Sequence, residues 1–545
     1  MDTSDLNECA SLFPELKKLP PLVFIPKNER QIVNEKKFLV FESCLDNLVR
    51  KVKCQYSEDC DYMVQTFHKK IEGSYCKITG TCYQGHYFTI FESQPRVGRY
   101  CSGNILIAAA ILFSGQNFVK TKEFLNILGL QSIAEKTYYR YQSLFLFPAI
   151  DKAWKSNKEE MKDYSQNKPL CIAGDGQCDS PGHSAKYCVY TLMNTVNDNI
   201  LDFEVIQKTQ CASSFAMEKL GFETVMDRII AQGSKIKIFA SDRLVSIRKK
   251  MRTDYSMINH QFDVWHYAKS PKKKLINASK LKFCKEITPW VDKIVLHFWW
   301  CIKTFNHNPE LLKEKWLSVL HHIADEHEWD GRLYSACMHS PIEEQNNEEI
   351  FWLSKEKPSY KNIMKIVSND VLIKDLQHLV HNCHTGLLEN FHSLALKFRS
   401  KRIHFGIDAM EARTKLAALS RNHNVGRQQA VVQVSRTNTE PVGTLRTRVV
   451  LPKGNSRWII RNIFEKISVK FLEDISVDVL KICNHSLLSE WESRAPTVPP
   501  NIANIEKPNE DEVKNNKSAD TELQPHQRCE ISIKDPYWYL YLKKK

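Results

Sequence analysis

Two short apolar runs, each stopped by an aspartate, limit the folds open to this chain more than any other feature. Leu170-Cys171-Ile172-Ala173 runs into Gly174-Asp175-Gly176, and Ile236-Lys237-Ile238-Phe239-Ala240 runs into Ser241-Asp242-Arg243. Short apolar stretches with β-branched and aromatic residues read as buried strands. In open α/β sheets, reactive groups collect at the carboxyl ends of such strands. Two carboxylates delivered there suggest a shared divalent metal and phosphodiester chemistry.

The residues around these aspartates form an ordered series. Leu170 to Ala173, Tyr187 to Met193 and Ile200 to Lys208 read as strands. The turns between them, Gly176 to Ser184 and Asn197-Asp198-Asn199, imply antiparallel neighbours. A helix follows with Phe222, Val225, Met226, Ile229 and Ile230 on one face, and Gly233 ends it. After Asp242 a second helix keeps Leu244, Ile247, Met251 and Tyr255 in register, and a strand from Met257 to Val264 closes the unit. The order β-β-β-α-β-α-β predicts an α/β fold built on an RNase H-like mixed sheet, spanning 165–266 and 376–420. Residues 267–375, rich in tryptophan and nearly free of glycine, read as an all-α insertion into it. Trp299 or Trp300 could stack on a flipped base, though a packed helical core suits them better.

A metal-dependent nuclease of this kind needs a third carboxylate from a helix laid on the sheet. In Cys383-His384-Thr385-Gly386-Leu387-Leu388-Glu389-Asn390-Phe391-His392, the candidate is Glu389. Leu387, Phe391, Leu394 and Phe398 define the expected buried stripe, with Glu389 roughly opposite Leu387. Mg²⁺ is a hard ion that prefers oxygen ligands and keeps several waters. Asp175 would bridge two such ions, with Mn²⁺ able to substitute, while Asp242 and Glu389 would each hold one. Asp179 competes for the first position but lies inside the turn.

Upstream, residues 1–36 are polar and proline-bearing and read as a loose arm. Residues 37–100 crowd cysteines, and Cys54, Cys60, Cys82 and His86 offer the two-knuckle donor set of a zinc-ribbon-like module. Residues 101–150 look helical, with Thr121 to Leu128 and Ser132 to Gln142 joined by a glycine-bearing turn in the manner of a helix-turn-helix. That geometry would present Glu135, Lys136, Thr137 and Arg140 to DNA. Cys337 and His339, with Cys383 and His384, could form a further zinc site. Residues 421–495 read as a mixed C-terminal domain, and 496–545 as a mostly disordered tail.

The chain has 545 residues and a formal charge of +14, a balance that favours an anionic partner, with nucleic acid the commonest. Its longest apolar run, Ile105 to Phe113, is too short to span a bilayer. Seventeen cysteines spread over this length suit buried thiols and metal ligands in a reducing compartment. Lys272-Lys273-Lys274 and the cluster from Lys397 to Arg402 would permit import into the nucleus.

The segments GDGQCDSPG, FASDR, HQFDVWH and CHTGLLENFHS resemble those of eukaryotic cut-and-paste DNA transposases, nearest to the Kolobok-like group. The resemblance covers roughly residues 37–480. It implies an acid triad of Asp175, Asp242 and Glu389, a helical insertion before the glutamate, and an Asp-x-x-His element at Asp263 and His266. It also implies binding of double-stranded DNA, at transposon ends and target, by a homo-oligomer. The alternative is a domesticated, catalytically silent DNA-binding or regulatory protein. The chain departs from the group in lacking a THAP-type finger at its start.

Overall fold

The structure, a computed structural model, describes residues 28–165, 169–180, 185–211, 213–340, 351–381, 383–401, 403–433, 441–452, 457–488, 490–495 and 511. Residues 1–27 of the expected arm and nearly all of the expected tail lie outside this set. The chain divides into two compact units, Met1–Arg494 and Ala495–Lys545, and every strand among the described residues belongs to the first.

The architecture is mixed α/β. Near the start, β1 (Val64–Glu72), β2 (Tyr75–Cys82) and β3 (Tyr87–Glu92) make an antiparallel meander, followed by the short pair β4 (Arg96–Val97) and β5 (Tyr100–Cys101). The main sheet has five strands, β6 (Leu170–Cys178), β7 (Tyr187–Asn194), β8 (Ile200–Gln207), β9 (Ile236–Ser241) and β10 (Asn259–Phe262). Their spatial order is β10-β9-β6-β7-β8. The first three pair antiparallel, whereas β9 joins β6, and β10 joins β9, in parallel. The helices Ser214–Ala231 and Val245–Thr253 make the crossovers that parallel pairing requires. A last pair, β11 (Thr447–Val450) and β12 (Ile459–Asn462), follows the core.

Every residue of β7 is buried, because helices cover both faces, and its sequence is accordingly mostly apolar, broken only by Thr191 and Asn194, rather than alternating. On one face Ile172, Tyr190, Leu192 and Phe239 pack against Phe222, Val225, Met226 and Ile229. On the other, Ala173, Val189, Met193 and Phe203 share a core with Leu388, Phe391 and Ala395, and with Leu416 and Leu419 of the helix Ile407–Asn422. That core also takes in the upstream helices, and Phe471, Ile475 and Leu480 of the helix Lys470–Cys483. The insertion keeps a separate core around Trp290, Phe298, Trp316 and Ile363.

Several expected boundaries move. β6 does not stop at Ala173 but continues to Cys178, where its pairing with β7 sustains it. β10 is shorter than Met257 to Val264, since Asp263 turns the chain into the next helix. Within the expected loose arm, Glu29–Asn34 is a helix, tied down by buried Ile32 and by an Arg30–Asp474 ion pair of 2.7 Å. The second helix of the upstream pair is Glu135–Tyr141, later than Ser132, and it runs through a wider turn at Gln142–Leu146 into the long helix Phe147–Ser165. No helix among the described residues is long and apolar enough to cross a membrane.

Candidate active site

Gly174 of β6 lies opposite Ser241 of β9 in the parallel ladder. The next residue on each side is an acid, so Asp175 and Asp242 stand about one strand spacing apart, about 4.8 Å at the backbone. Asp175 is thus internal to β6 on its β7 side, where it faces Thr191, yet at the very end of the ladder with β9. Strand alternation puts its side chain on the face of Ala173, toward the helix Gly386–Phe398. There Oδ2 lies 3.4 Å from His392 Nδ1, while Oδ1 accepts a hydrogen bond from Gly176 N at 2.8 Å. Burial, reinforced by the charges of Asp242 and Glu218, pushes the Asp175 carboxyl up to about 8.

The glycines flanking Asp175 are required by close approach from the other face. A Cβ at Gly174 would stand 2.6 Å from the Tyr190 hydroxyl, and one at Gly176 would stand 2.7 Å from Glu218 Cγ. Glu218, from the helix Ser214–Ala231, is a carboxylate that the sequence pattern did not reveal. Burial and the neighbouring Asp242 push its carboxyl up to about 7. The helix begins about two turns before Phe222, capped by Ser213. The signal that could have found Glu218 is its place four residues before Phe222 and seven before Val225, on the same helix face that packs onto the sheet.

Glu389 joins this cluster through a histidine. His266 Nδ1 is hydrogen-bonded to Asp242 Oδ1, and its Nε2 lies 3.2 Å from Glu389 Oε1. The bond to Asp242 raises the imidazole above its ordinary pKa, so the doubly protonated ring can donate to both acids. Asp263 plays another part. It caps the helix Val264–Ser279 by accepting from His266 N at 2.7 Å, and its second oxygen accepts from Thr385 N and from Thr385 Oγ1 at 2.8 Å. Burial alone would raise its pKa, but these bonds outweigh it and hold the carboxyl below the usual range. It is a positioning residue that fixes the start of the Glu389 helix to the start of the His266 helix.

The Glu389 helix sits differently from its expected stripe. Leu388, Phe391, His392, Ala395 and Phe398 are buried, whereas Leu387 is exposed. Glu389 therefore flanks the buried face and keeps nearly half of its side chain accessible. The loop after Asp242 is held as well, since Arg243 and Arg248 both bind the buried carboxylate of Asp375 at the end of the insertion. Asp179 lies beyond β6, where its Oδ1 accepts from Lys186 N, and it does not join the acids.

The four donors expected for zinc also meet. All ligand atoms of Cys54, Cys60, Cys82 and His86 lie within 4.8 Å of one another. Cys54 Sγ is 3.6 Å from His86 Nδ1, and Cys60 Sγ is 3.9 Å from Cys82 Sγ. A tetrahedral ion with Zn–S of about 2.3 Å sets S···S edges of about 3.8 Å and S···N edges of about 3.6 Å. One knuckle closes through Gly85 N donating to Cys82 O at 2.9 Å, with Gly85 at φ +83°. Cys383 and His384, by contrast, do not join Cys337 and His339. His384 stacks on Trp299, with ring centroids 6.3 Å apart, and Cys337 and His339 face His322 and His327 instead.

In the upstream helix pair Lys136 and Arg140 are exposed and Thr137 is half-buried, while Tyr138 and Tyr141 pack inward. Trp300 lies within the insertion, 5.5 Å from the His297 ring and under Lys315 Nζ at 4.7 Å. No protein family matches this chain, and no curated protein resembles it closely enough to count as a relative.

Proposed function

We propose that the protein is a transposase or transposase-derived nuclease that binds double-stranded DNA and performs Mg²⁺-dependent phosphodiester hydrolysis and strand transfer. The observation that carries this reading is the convergence of Asp175, Asp242 and Glu389. They are separated by up to 214 residues of sequence (389 − 175), yet His266 bridges Asp242 to Glu389, and Asp175 follows the parallel pairing that places it beside Asp242. The sheet order and its β-β-β-α-β-α-β sequence are those expected of an RNase H-like core.

The donor set fits a hard divalent cation. The acids offer only oxygen, and the Asp175 carboxyl, pushed up to about 8 by burial and then by the charges of Asp242 and Glu218, is one whose ionised form a cation would favour. When bound there, Mg²⁺ would activate the attacking oxygen and stabilise the leaving one. The chain's own residues supply the frame. Asp263 and Thr385 set the Glu389 helix, His266 holds Asp242 and Glu389 in a common orientation, and Arg243 clamps the loop behind them.

The helix that carries His266 also presents a basic edge. Lys269 and Lys273 are exposed along it and Lys280 at its C-terminal cap, at spacings that keep them on the side of His266. Phosphates entering the acid cluster would be tracked by that edge, and Lys136 and Arg140 are candidates for contact farther along the duplex.

The second reading, a catalytically silent DNA-binding protein, draws on the His266 bridge itself, because the imidazole stands between two of the acids. A supercoiled-plasmid nicking assay in Mg²⁺ and in Mn²⁺ decides between them. Metal-dependent nicking that Asp175→Asn, Asp242→Asn and Glu389→Gln each abolish supports the nuclease. DNA binding with no nicking by the wild type supports the silent protein.

A further inference from the structure

We infer that the helical insertion carries its own structural zinc ion, held by His322, His327, Cys337 and His339. The four residues span 18 positions of the chain (339 − 322 + 1), and their ligand atoms all lie within 4.8 Å of one another. This site is independent of the nuclease reading and far along the sequence from the N-terminal cysteines.

The hydrogen bonds around the cluster set which nitrogen of two rings is free. His339 Nδ1 lies 2.8 Å from the Ser340 carbonyl, which can only accept, so Nδ1 carries the proton and Nε2 the lone pair. His327 Nε2 lies 3.2 Å from the Asp325 carboxylate, so its lone pair falls on Nδ1. That Nδ1 is buried and, among the described residues, has no hydrogen-bond partner. Asp325 thus stands behind His327 as carboxylates stand behind zinc-bound imidazoles. His322 Nδ1 is 3.6 Å from Cys337 Sγ, the S···N separation of about 3.6 Å that one tetrahedral zinc ion imposes.

Packing alone gives no reason for this arrangement. The rings of His322, His327 and His339 meet nearly edge to face, with centroids 5.0–5.3 Å apart and interplanar angles of 75–88°. Neutral imidazoles that turn lone pairs toward one point gain nothing from one another, whereas a cation there satisfies all of them. Trp352 walls the cluster, at 5.6 Å from His322 and 5.5 Å from His327, and exposed His339 leaves an entry route. The backbone prepares the site, because Cys337 N donates to His327 O at 2.9 Å and Glu328 bridges to Ala336. His322 ends the helix Val319–His322, so the ion would fasten this loop to the insertion's helical core.

Four protein ligands and no open position define a structural site rather than a catalytic one. Mixed thiolate and imidazole donors in tetrahedral array select zinc over magnesium.

The test is metal analysis of the full chain with any affinity tag removed, alongside Co²⁺ substitution. The expected zinc content is two equivalents, falling by one in Cys337→Ala/His339→Ala and by one in Cys54→Ala/Cys82→Ala. Thiolate-to-cobalt absorption reports the donors, because the insertion site offers one thiolate and the N-terminal site three. In the Cys54→Ala/Cys82→Ala background, His327→Cys should keep the ion and strengthen that absorption, while His327→Ala should lose it. Circular dichroism of each variant separates ion loss from unfolding. Zinc content unchanged by Cys337→Ala/His339→Ala in a folded protein would overturn the assignment. So would a wild type with one equivalent that disappears in Cys54→Ala/Cys82→Ala.

Discussion

Asp263 accepts two hydrogen bonds from Thr385, one from its backbone N–H and one from its hydroxyl, across 122 residues of sequence. The same carboxylate caps the helix that carries His266. One buried side chain therefore joins the two elements that bring His266 to Glu389. Asp263→Asn replaces an acceptor by a donor that faces other donors, so it should cost about 2–3 kcal/mol of stability. Equilibrium urea unfolding checks this, and a loss below about 0.5 kcal/mol would remove Asp263 from its positioning role.

Glu218 adds a fourth carboxylate beside Asp175 and Asp242. Glu218→Gln keeps its shape and removes its charge, and cation affinity should fall roughly 10-fold, as when partners behind metal ligands are removed. Titration with Mn²⁺ followed by its paramagnetic resonance measures this. Unchanged affinity would place Glu218 outside the field of any cation bound at Asp175 and Asp242.

His260 gives the fold an acid limit. It is buried, and burial, with His378 and Arg248 nearby, depresses its pKa to about 3 from an ordinary 6.5. The unfolded chain takes up this proton first, so the stability from a neutral His260 is full above pH 6.5 and is lost as pH falls toward 3. By pH 5 the loss should reach about 2 kcal/mol. His260→Gln should flatten that part of the stability curve, measured by denaturant unfolding between pH 8 and pH 5. An unaltered slope would assign the acid limit elsewhere.

If Cys54, Cys60, Cys82 and His86 hold zinc, removing it should loosen the N-terminal module without unfolding the main sheet. Its own core is small, formed by Val49, Val64, Ile78 and Phe88 with the three cysteines, and domains of that size depend on such an ion. With a strong chelator, amide hydrogen exchange should accelerate over residues 52–92 while β6, β7 and β8 stay protected. Equal exchange with and without chelator would contradict a zinc contribution there.

The basic edge beside His266 predicts a salt signature. Lys269→Ala with Lys273→Ala should lower the slope of log affinity for duplex DNA against log salt by about two, one for each phosphate no longer neutralised. Binding measured at several salt concentrations tests this, and an unchanged slope would direct the DNA elsewhere.

Much of the site was legible because it rests on local chemistry. Apolar runs that end in Gly-Asp-Gly and Ser-Asp-Arg mark strands whose next residues are acids, and the parallel register of β6 and β9 brings Asp175 beside Asp242. Cys54, Cys60, Cys82 and His86 were also readable, since a tight turn with Gly85 can only bring Cys82 and His86 together. Helix faces were less legible. A stripe through Leu387 fits the same spacing as the observed one through Leu388 and His392, and only the tertiary contact with Asp175 tells them apart. Glu218 was hidden because Ser213 starts its helix ahead of the strongest apolar residues. His322 and His327 were hidden because their partners come from a loop with no regular spacing, while Cys383-His384 offered a more obvious but wrong pair.

The proposed shared metal site is open to one decisive experiment, anomalous diffraction from crystals grown with Mn²⁺. Manganese should appear among the carboxylates of Asp175, Asp242 and Glu389, with His266 displaced from between the last two or turned to face the ion. A folded protein with Asp175 and Asp242 ordered, millimolar Mn²⁺ in the crystal, and no manganese at those acids would contradict it.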